Sequence, residues 1–142
     1  MQEKLDFEAA KRNEVAHKKI AVEFLTLLGA QKFKDGLRFF AADCKTHNPY
    51  VVGGMDALTD AMIAASKDMR QKSPEAELTI KHAVAEGDLV AVHTELFNQR
   101  SNLAKGGLRQ VHLFRFEGDK IVEYWDISQL VTPDQPNAAG AF

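Results

Sequence analysis

The sequence predicts a single domain of the α+β class. In the first half of the chain, apolar residues recur at the period of about 3.6 that is typical of amphipathic helices. The second half instead holds four stretches rich in Val, Ile, Phe and Thr, separated by turn residues at near-regular spacing. The chain has 142 residues, of which 45% are hydrophobic, and this is enough for one domain with its own core over residues 1–142. Helices followed by a run of strands indicate an α+β fold.

Three helices are predicted in the first half, at Phe7–Leu28, Phe33–Asp43 and Asp56–Gln71. Residues 1–14 extend the first helix at its N-terminus, and Gly29 gives it a C-terminal stop. The segment Thr46–Gly54 contains Asn-Pro and Gly-Gly pairs, which break regular structure, so we expect a loop there. Asp56 is a candidate N-cap for the third helix.

Four strands are predicted in the second half, at Leu78–Glu86, Leu89–Asn98, Leu108–Glu117 and Lys120–Leu130. Short turns such as Gly118-Asp119 separate them, which predicts an antiparallel meander. Residues 131–142 contain two prolines and are expected to be irregular. A strongly curved sheet of this size can wrap around a helix and enclose a pocket, and such pockets are mostly apolar with a few polar groups.

The composition excludes several function classes. The 18 Lys and Arg against 20 Asp and Glu give a net charge of −2, which argues against a nucleic-acid partner. Cys44 is the single cysteine, so a disulfide framework and a multi-thiolate metal site are excluded, and we expect it to be a small core residue. No signal peptide and no apolar run of about 20 residues is present, which predicts a soluble, cytoplasmic chain without a membrane partner. No phosphate-binding glycine loop or metal-ligand motif is found, so we expect neither a cofactor nor a metal.

Two polar residues interrupt otherwise apolar strands. Asp126 is unusual because Asp is unfavourable in a strand. Its side chain either faces the buried side, where a carboxyl can act as a general acid or base, or faces solvent or caps a backbone group. His112 lies on the preceding strand. A two-residue turn would pair it with Trp125, whereas a longer turn with a bulge would place it on the face of Asp126, so strand alternation alone leaves both arrangements open.

The remaining histidines differ in context. His47 lies in the predicted loop, where the following Asn-Pro pair would hold it rigidly, as a site residue requires. His93 alternates with apolar residues and either lines a pocket or faces solvent. His17 and His82 are interpreted as structural or exposed.

Several motifs resemble one family. Residues 87–93 read Gly-Asp-Leu-Val-Ala-Val-His, and residues 114–126 read Phe-Arg-Phe-Glu-Gly-Asp-Lys-Ile-Val-Glu-Tyr-Trp-Asp. Together with the Thr-His-Asn-Pro loop at residues 46–49, they resemble the SnoaL-like branch of the nuclear-transport-factor-2-like superfamily. The resemblance runs from about Val15 to the C-terminus.

This resemblance implies a cone-shaped fold, in which a curved antiparallel sheet wraps a long helix around a deep pocket, and a homodimer formed through the sheet. Its founding members are polyketide cyclases that close a ring by aldol condensation, using a pocket aspartate and no metal or cofactor. Asp126 matches that aspartate, His112 matches a pocket position, and His47 matches the histidine of the His-Asn-Pro loop. The chain departs from many relatives at Tyr124, where they have His, and at His112, where they have Asp.

The leading hypothesis is a cofactor-independent enzyme that acts on a small apolar carbonyl compound. Asp126 would abstract a proton next to the carbonyl, and His112 with His47 or Tyr124 would hold the carbonyl oxygen, leading to aldol cyclisation or isomerisation. The residues expected to bind the substrate are Tyr124, Tyr50, Asn48, His93, Phe24, Phe39, Phe114 and Trp125, although Trp125 could lie at the dimer interface instead. The alternative is a non-catalytic binding module or a dimerisation domain of the same fold.

Overall fold

The computed structural model describes residues 1–72, 76–97 and 107–131, together with residues 134, 136 and 137. Two α-helices, one 3₁₀ helix and five strands are found in it. In chain order they are α1 (Gln2–Gly29), the 3₁₀ helix (Lys34–Phe39), β1 (Phe40–Thr46), α2 (Gly54–Lys72), β2 (Glu77–Glu86), β3 (Leu89–Phe97), β4 (Gly107–Glu117) and β5 (Lys120–Val131). The predicted α+β class is therefore confirmed. No helix among these residues is long and apolar enough to cross a membrane.

The strands form one curved sheet that does not close on itself, in the order β1-β5-β4-β3-β2. Strands β2 to β5 pair antiparallel with their neighbours in sequence, as the turn spacing predicted. Asn98, the last residue of the second predicted strand, and most of the C-terminal tail that was predicted to be irregular lie outside the described residues.

The predicted helix over Phe33–Asp43 is wrong beyond Phe39. The chain there forms the 3₁₀ helix and then enters β1, which pairs parallel to β5, so the sheet is not antiparallel throughout. Phe40 pairs with Ile121, and both side chains are buried. Because this pairing buries apolar side chains against the sheet edge, tertiary contact outweighs the local helical pattern.

The register between β4 and β5 combines a tight turn with a bulge. Glu117 pairs with Lys120 across a two-residue turn, in which Gly118 takes a φ of +60° that suits glycine. Further along, Phe116 pairs with Ile121 but Arg115 pairs with Glu123, so β5 carries one extra residue. This shift places His112 directly opposite Asp126.

The core lies between α1 and the inner face of the sheet. Phe24 of α1 makes edge-on contacts with Phe40, Phe114 and Tyr124, with ring centroids 4.8 to 5.9 Å apart. A Cβ added at Gly36 would lie 2.7 Å from the Phe24 ring, so glycine allows the 3₁₀ helix to approach α1 closely. Phe24 and Phe114 thus belong to the packed core.

Candidate functional site

A cavity of about 360 Å³ lies beyond this core, between the C-terminal end of α1, helix α2 and the inner face of the sheet. Its wall is mostly apolar, with side chains such as Leu28, Met62, Met69, Leu78 and Leu96. The polar residues on the sheet side come from β4 and β5 alone among the described residues, and they are Gln110, His112, Tyr124 and Asp126. An apolar wall with a few convergent polar groups is typical of a small-molecule site.

Asp126 is held at this wall by Asn48, which lies in the loop after β1. The Asn48 Nδ2 group donates to Asp126 Oδ2 at 2.7 Å, while the Asn48 Oδ1 atom accepts from the backbone N–H of Tyr50 at 2.9 Å. This second bond fixes which side of the amide faces the carboxylate. Asp126 Oδ1 is buried and has no hydrogen-bond partner within the described part of the chain. An unpaired buried acceptor is costly and is a recognised feature of functional sites.

A chain of buried hydrogen bonds runs beside Asp126 on the inner face. His112 Nδ1 lies 2.7 Å from the Tyr124 hydroxyl, and His112 Nε2 lies 3.2 Å from Thr94 Oγ1. Thr94 Oγ1 in turn lies 3.4 Å from Gln110 Oε1. His112 is only 3% exposed, Tyr124 1% and Thr94 0%, so these groups depend on one another for hydrogen bonds.

Burial also determines the charge state of His112 and Tyr124 in this series of hydrogen bonds. It lowers the pKa of His112 to about 4, because the imidazolium is poorly solvated there. It raises the pKa of Tyr124 well above its ordinary value, and the nearby negative charge of Asp126 adds to that increase. At neutral pH the imidazole and the phenol are therefore both uncharged.

His47, predicted to share this site, lies instead on the outer face of β5. Its Nε2 group is 2.6 Å from Glu123 Oε2, and its ring stacks on Trp125 at a centroid distance of 4.8 Å. Arg115 Nε donates to the other oxygen of Glu123 at 2.9 Å. These hydrogen bonds, from His47 first and then from Arg115, lower the pKa of Glu123. Neither His47 nor Trp125 lines the cavity.

Other predicted site residues are also separated from the cavity. His93 stacks on His82, with the two Nδ1 atoms 3.1 Å apart, and it shares a cross-strand row with Val111 and Ile127 on the outer face. Tyr50 is 92% exposed, and the guanidinium of Arg38 covers the ring of Phe39 at 4.5 Å. Of the eleven predicted site residues, Asp126, His112 and Tyr124 line the cavity, and Asn48 contacts Asp126.

Sequence reasoning missed Thr94 and Gln110. Gln110 lies two residues before His112, so strand alternation already places both on one face. Thr94 pairs with Gln110 across β3 and β4, and the sequence alone does not give the strand register that brings them together.

In the described part of the chain, no three His, Cys, Asp or Glu side chains are grouped to hold a metal ion. The homodimer through the sheet stays a prediction.

Comparisons with solved structures agree on the fold. AclR from Streptomyces galilaeus matches with a TM-score of 0.63 and 17% identity, over 82% of this chain and 81% of that chain. A proposed ketosteroid isomerase from Kribbella flavida matches with a TM-score of 0.62 and 15% identity, over 88% and 86%. A proposed polyketide cyclase from Sinorhizobium meliloti matches with a TM-score of 0.58 and 12% identity, over 77% and 94%.

A search of curated proteins finds no match. The family model for SnoaL-like polyketide cyclases, however, matches residues 18–135, which include the C-terminal part of α1, all of α2 and all five strands. The chain belongs to the SnoaL-like polyketide cyclase family.

Proposed function

We propose that this protein is a cofactor-independent acid–base enzyme that removes a proton next to a carbonyl group. The observation that carries the proposal is the environment of Asp126, which lines an apolar cavity beside a buried phenol. Asn48 donates to Asp126 Oδ2, whereas Oδ1 has no hydrogen-bond partner among the described residues, so we assign Oδ1 as the oxygen that accepts the proton. The family, with its polyketide cyclases, supports cyclase or isomerase chemistry of this kind.

In the proposed first step, the Asp126 carboxylate takes the proton from the α-carbon of the substrate. The electron pair of that C–H bond forms a C=C bond, and the carbonyl oxygen becomes an enolate oxygen. Tyr124 then stabilises the enolate by donating its hydroxyl proton in a hydrogen bond, an interaction that strengthens as charge develops. The raised pKa of Tyr124 keeps this donor protonated at neutral pH.

His112 sets the direction of the Tyr124 hydroxyl. The imidazole is neutral, so one ring nitrogen donates and the other accepts. In the tautomer with a proton on Nδ1, His112 donates to Tyr124, and the Tyr124 proton is free for a ligand. Thr94 then donates to Nε2, and its 3.2 Å contact with Nε2 is shorter than its 3.4 Å contact with Gln110, which favours this direction. We therefore assign Thr94 and His112 as positioning residues.

The enolate has two productive fates. Its carbon can attack a second carbonyl of the same molecule, which closes a ring by aldol addition, with the proton on Asp126 returned to the new alkoxide. Alternatively, Asp126 returns the proton to a different carbon of the conjugated system, which moves the double bond. Both outcomes begin with the same proton abstraction.

The test is α-proton exchange into D₂O, followed by NMR on a panel of aryl and alkyl ketones. We expect the wild type to accelerate exchange and Asp126→Asn to lose about 10²- to 10⁴-fold of that acceleration. Glu123→Gln is the matched control, because it neutralises an outer-face carboxylate three residues away on the same strand. Equal exchange by wild type and Asp126→Asn would reject Asp126 as the base.

A further inference from the structure

A second concavity lies outside the cavity, in a groove between the end of α1, the start of the 3₁₀ helix and helix α2. Its volume is about 670 Å³. Four cationic side chains line it, Lys32, Lys34, Lys67 and Arg70, against one acid, Asp35. We call this surface the basic groove. Its local positive charge is opposite in sign to the chain, whose net charge is −2.

Among the described residues, no ion pair joins a cation of the basic groove to an acidic side chain. The cations that do form ion pairs there include Arg38, His47, Lys81 and Arg115, all of which lie outside the groove lining. Surface lysines commonly remain unpaired, but a concave surface concentrates their field and attracts anions. An anionic group bound there would therefore meet a net positive potential, from four cations against one carboxylate.

The basic groove adjoins the cavity through shared walls. Gln31, Phe33, Ser66 and Arg70 line both spaces. Gln31 has a φ of +62° because it ends α1 in a Schellman motif, in which the backbone N–H groups of Gln31 and Lys32 donate to the carbonyls of Leu28 and Leu27. With its amide oxygen facing α2, Gln31 accepts from Arg70 Nη2 at 2.7 Å and from Arg70 Nε.

Arg70 is therefore a cation held at the boundary of the two spaces by a neutral amide. This contact fixes the guanidinium without neutralising it, and a guanidinium is suited to bidentate recognition of a carboxylate or phosphate. The sheet wall of the cavity carries the Asp126 carboxylate, which repels an anion. The two charges together would orient an elongated substrate with one anionic end.

We infer that the substrate is an amphiphilic carbonyl compound whose anionic group, a carboxylate or a phosphate, binds at Arg70 and the basic groove while its apolar carbonyl part fills the cavity. This inference rests on the proposed function for the position of the carbonyl. It refines the expected substrate class from a simply apolar compound to an acid with an apolar body.

The experiment measures binding of three probes to the full chain by calorimetry or NMR titration at low salt. The probes are 4-oxo-4-phenylbutanoate, its methyl ester and phenacyl phosphate, which share an aryl ketone and differ in charge. We expect at least one anionic probe to bind about tenfold or more tightly than the ester, with affinity falling as salt is added. The tighter of the two anions identifies the carboxylate or the phosphate as the natural group.

Variants locate the effect. Arg70→Gln should weaken the anionic probe about tenfold and leave the ester unchanged, and Lys67→Gln, at an exposed position, should weaken it about two- to threefold. Lys19→Gln is the control, because it removes one exposed charge from α1 outside the groove. Equal affinity for acid and ester, or equal weakening by Lys19→Gln and Lys67→Gln, would overturn the inference.

The Asp126→Asn variant separates this inference from the proposed function. Selective binding of the anion by both wild type and Asp126→Asn supports the basic groove whether or not exchange occurs. If α-proton exchange depends on Asp126 but the anionic probe binds no more tightly than the ester, the inference about the basic groove is overturned and the proposed function stands.

Discussion

The two faces of β5 carry the same kinds of side chain in opposite environments. On the inner face, the half-buried Asp126 lies across from His112 and near Tyr124, both of which are almost fully buried. On the outer face, Glu123 bonds to His47, whose side chain is 41% exposed, and to Arg115. Each face thus has a carboxylate and an imidazole, yet only the inner pair has an unpaired carboxylate oxygen among the described residues.

The difference shows how burial converts similar residues into different chemistry. The outer carboxylate is saturated by two cationic or polar donors, which lowers the pKa of Glu123 and makes it a poor base. The inner imidazole is desolvated, which lowers the pKa of His112 to about 4 and keeps it neutral. The outer face is therefore interpreted as structural and the inner face as the reactive one.

The two faces should differ most in how much the free energy of unfolding falls when the histidine of each face is replaced by alanine. His112→Ala leaves the hydroxyls of Tyr124 and Thr94 without their buried partner, and each unsatisfied group costs about 1–3 kcal/mol, so we expect a total loss of about 3–5 kcal/mol including the void. His47→Ala should cost clearly less, because solvent replaces the lost contacts. Urea unfolding of both variants measures this, and equal losses would contradict the distinction.

Acid should distinguish the faces next. The folded pKa of His112 is about 4, against about 6.5 for an unfolded histidine, so between these values the unfolded chain binds more protons. The contribution is complete above about pH 6.5 and is lost as the pH falls toward 4, amounting to about 3 kcal/mol. The lowered pKa of Glu123 gives the opposite window, because its stabilisation is complete above the unfolded value of about 4.3 and is lost only as the pH falls below it.

The measurement is the free energy of unfolding from pH 4.5 to 7 for wild type and His112→Gln. Stability of the wild type should rise with pH over this range more steeply than that of the variant. Parallel curves would show that His112 is already able to ionise in the folded protein.

A smaller effect is expected from the phenol. Tyr124→Phe keeps the ring and its contacts with Phe24 and Phe114 but removes the proposed donor to the enolate oxygen. We expect the α-proton exchange rate to fall about 10- to 100-fold with little change in KM. Glu123→Gln should leave the rate within about twofold. A rate unchanged by Tyr124→Phe would assign the oxyanion contact to another group.

Much of the fold could be predicted from the sequence because its signals are local. Apolar periodicity and turn residues located α1, α2 and the four strands β2 to β5 within a few residues. Strand β1 was missed because its residues have no alternating pattern, and its identity depends on a parallel contact with β5 more than seventy residues away.

The site was harder to predict for the same physical reason. Asp126 and His112 stood out as polar residues in apolar strands, but their common face depends on one extra residue in β5. His47 resembled a site residue in its loop, yet its backbone N–H bonds to the carbonyl of Tyr124 and its ring turns to the outer face. The direction of the His47 side chain could not be predicted from residue spacing, because β1, which ends just before it, pairs irregularly with β5.

The role of Asp126 beside the enolate oxygen is tested most directly by binding 4-nitrophenol, whose ionised form imitates an enolate and has its own absorption spectrum. If Asp126 and Tyr124 face one ligand, the Asp126 carboxylate repels the phenolate, while an amide in its place imitates the protonated state after abstraction. We predict that Asp126→Asn binds the phenolate about tenfold more tightly than wild type, although its exchange activity is lost. Equal or weaker binding by Asp126→Asn would contradict the assignment of Asp126 as the base beside the enolate oxygen.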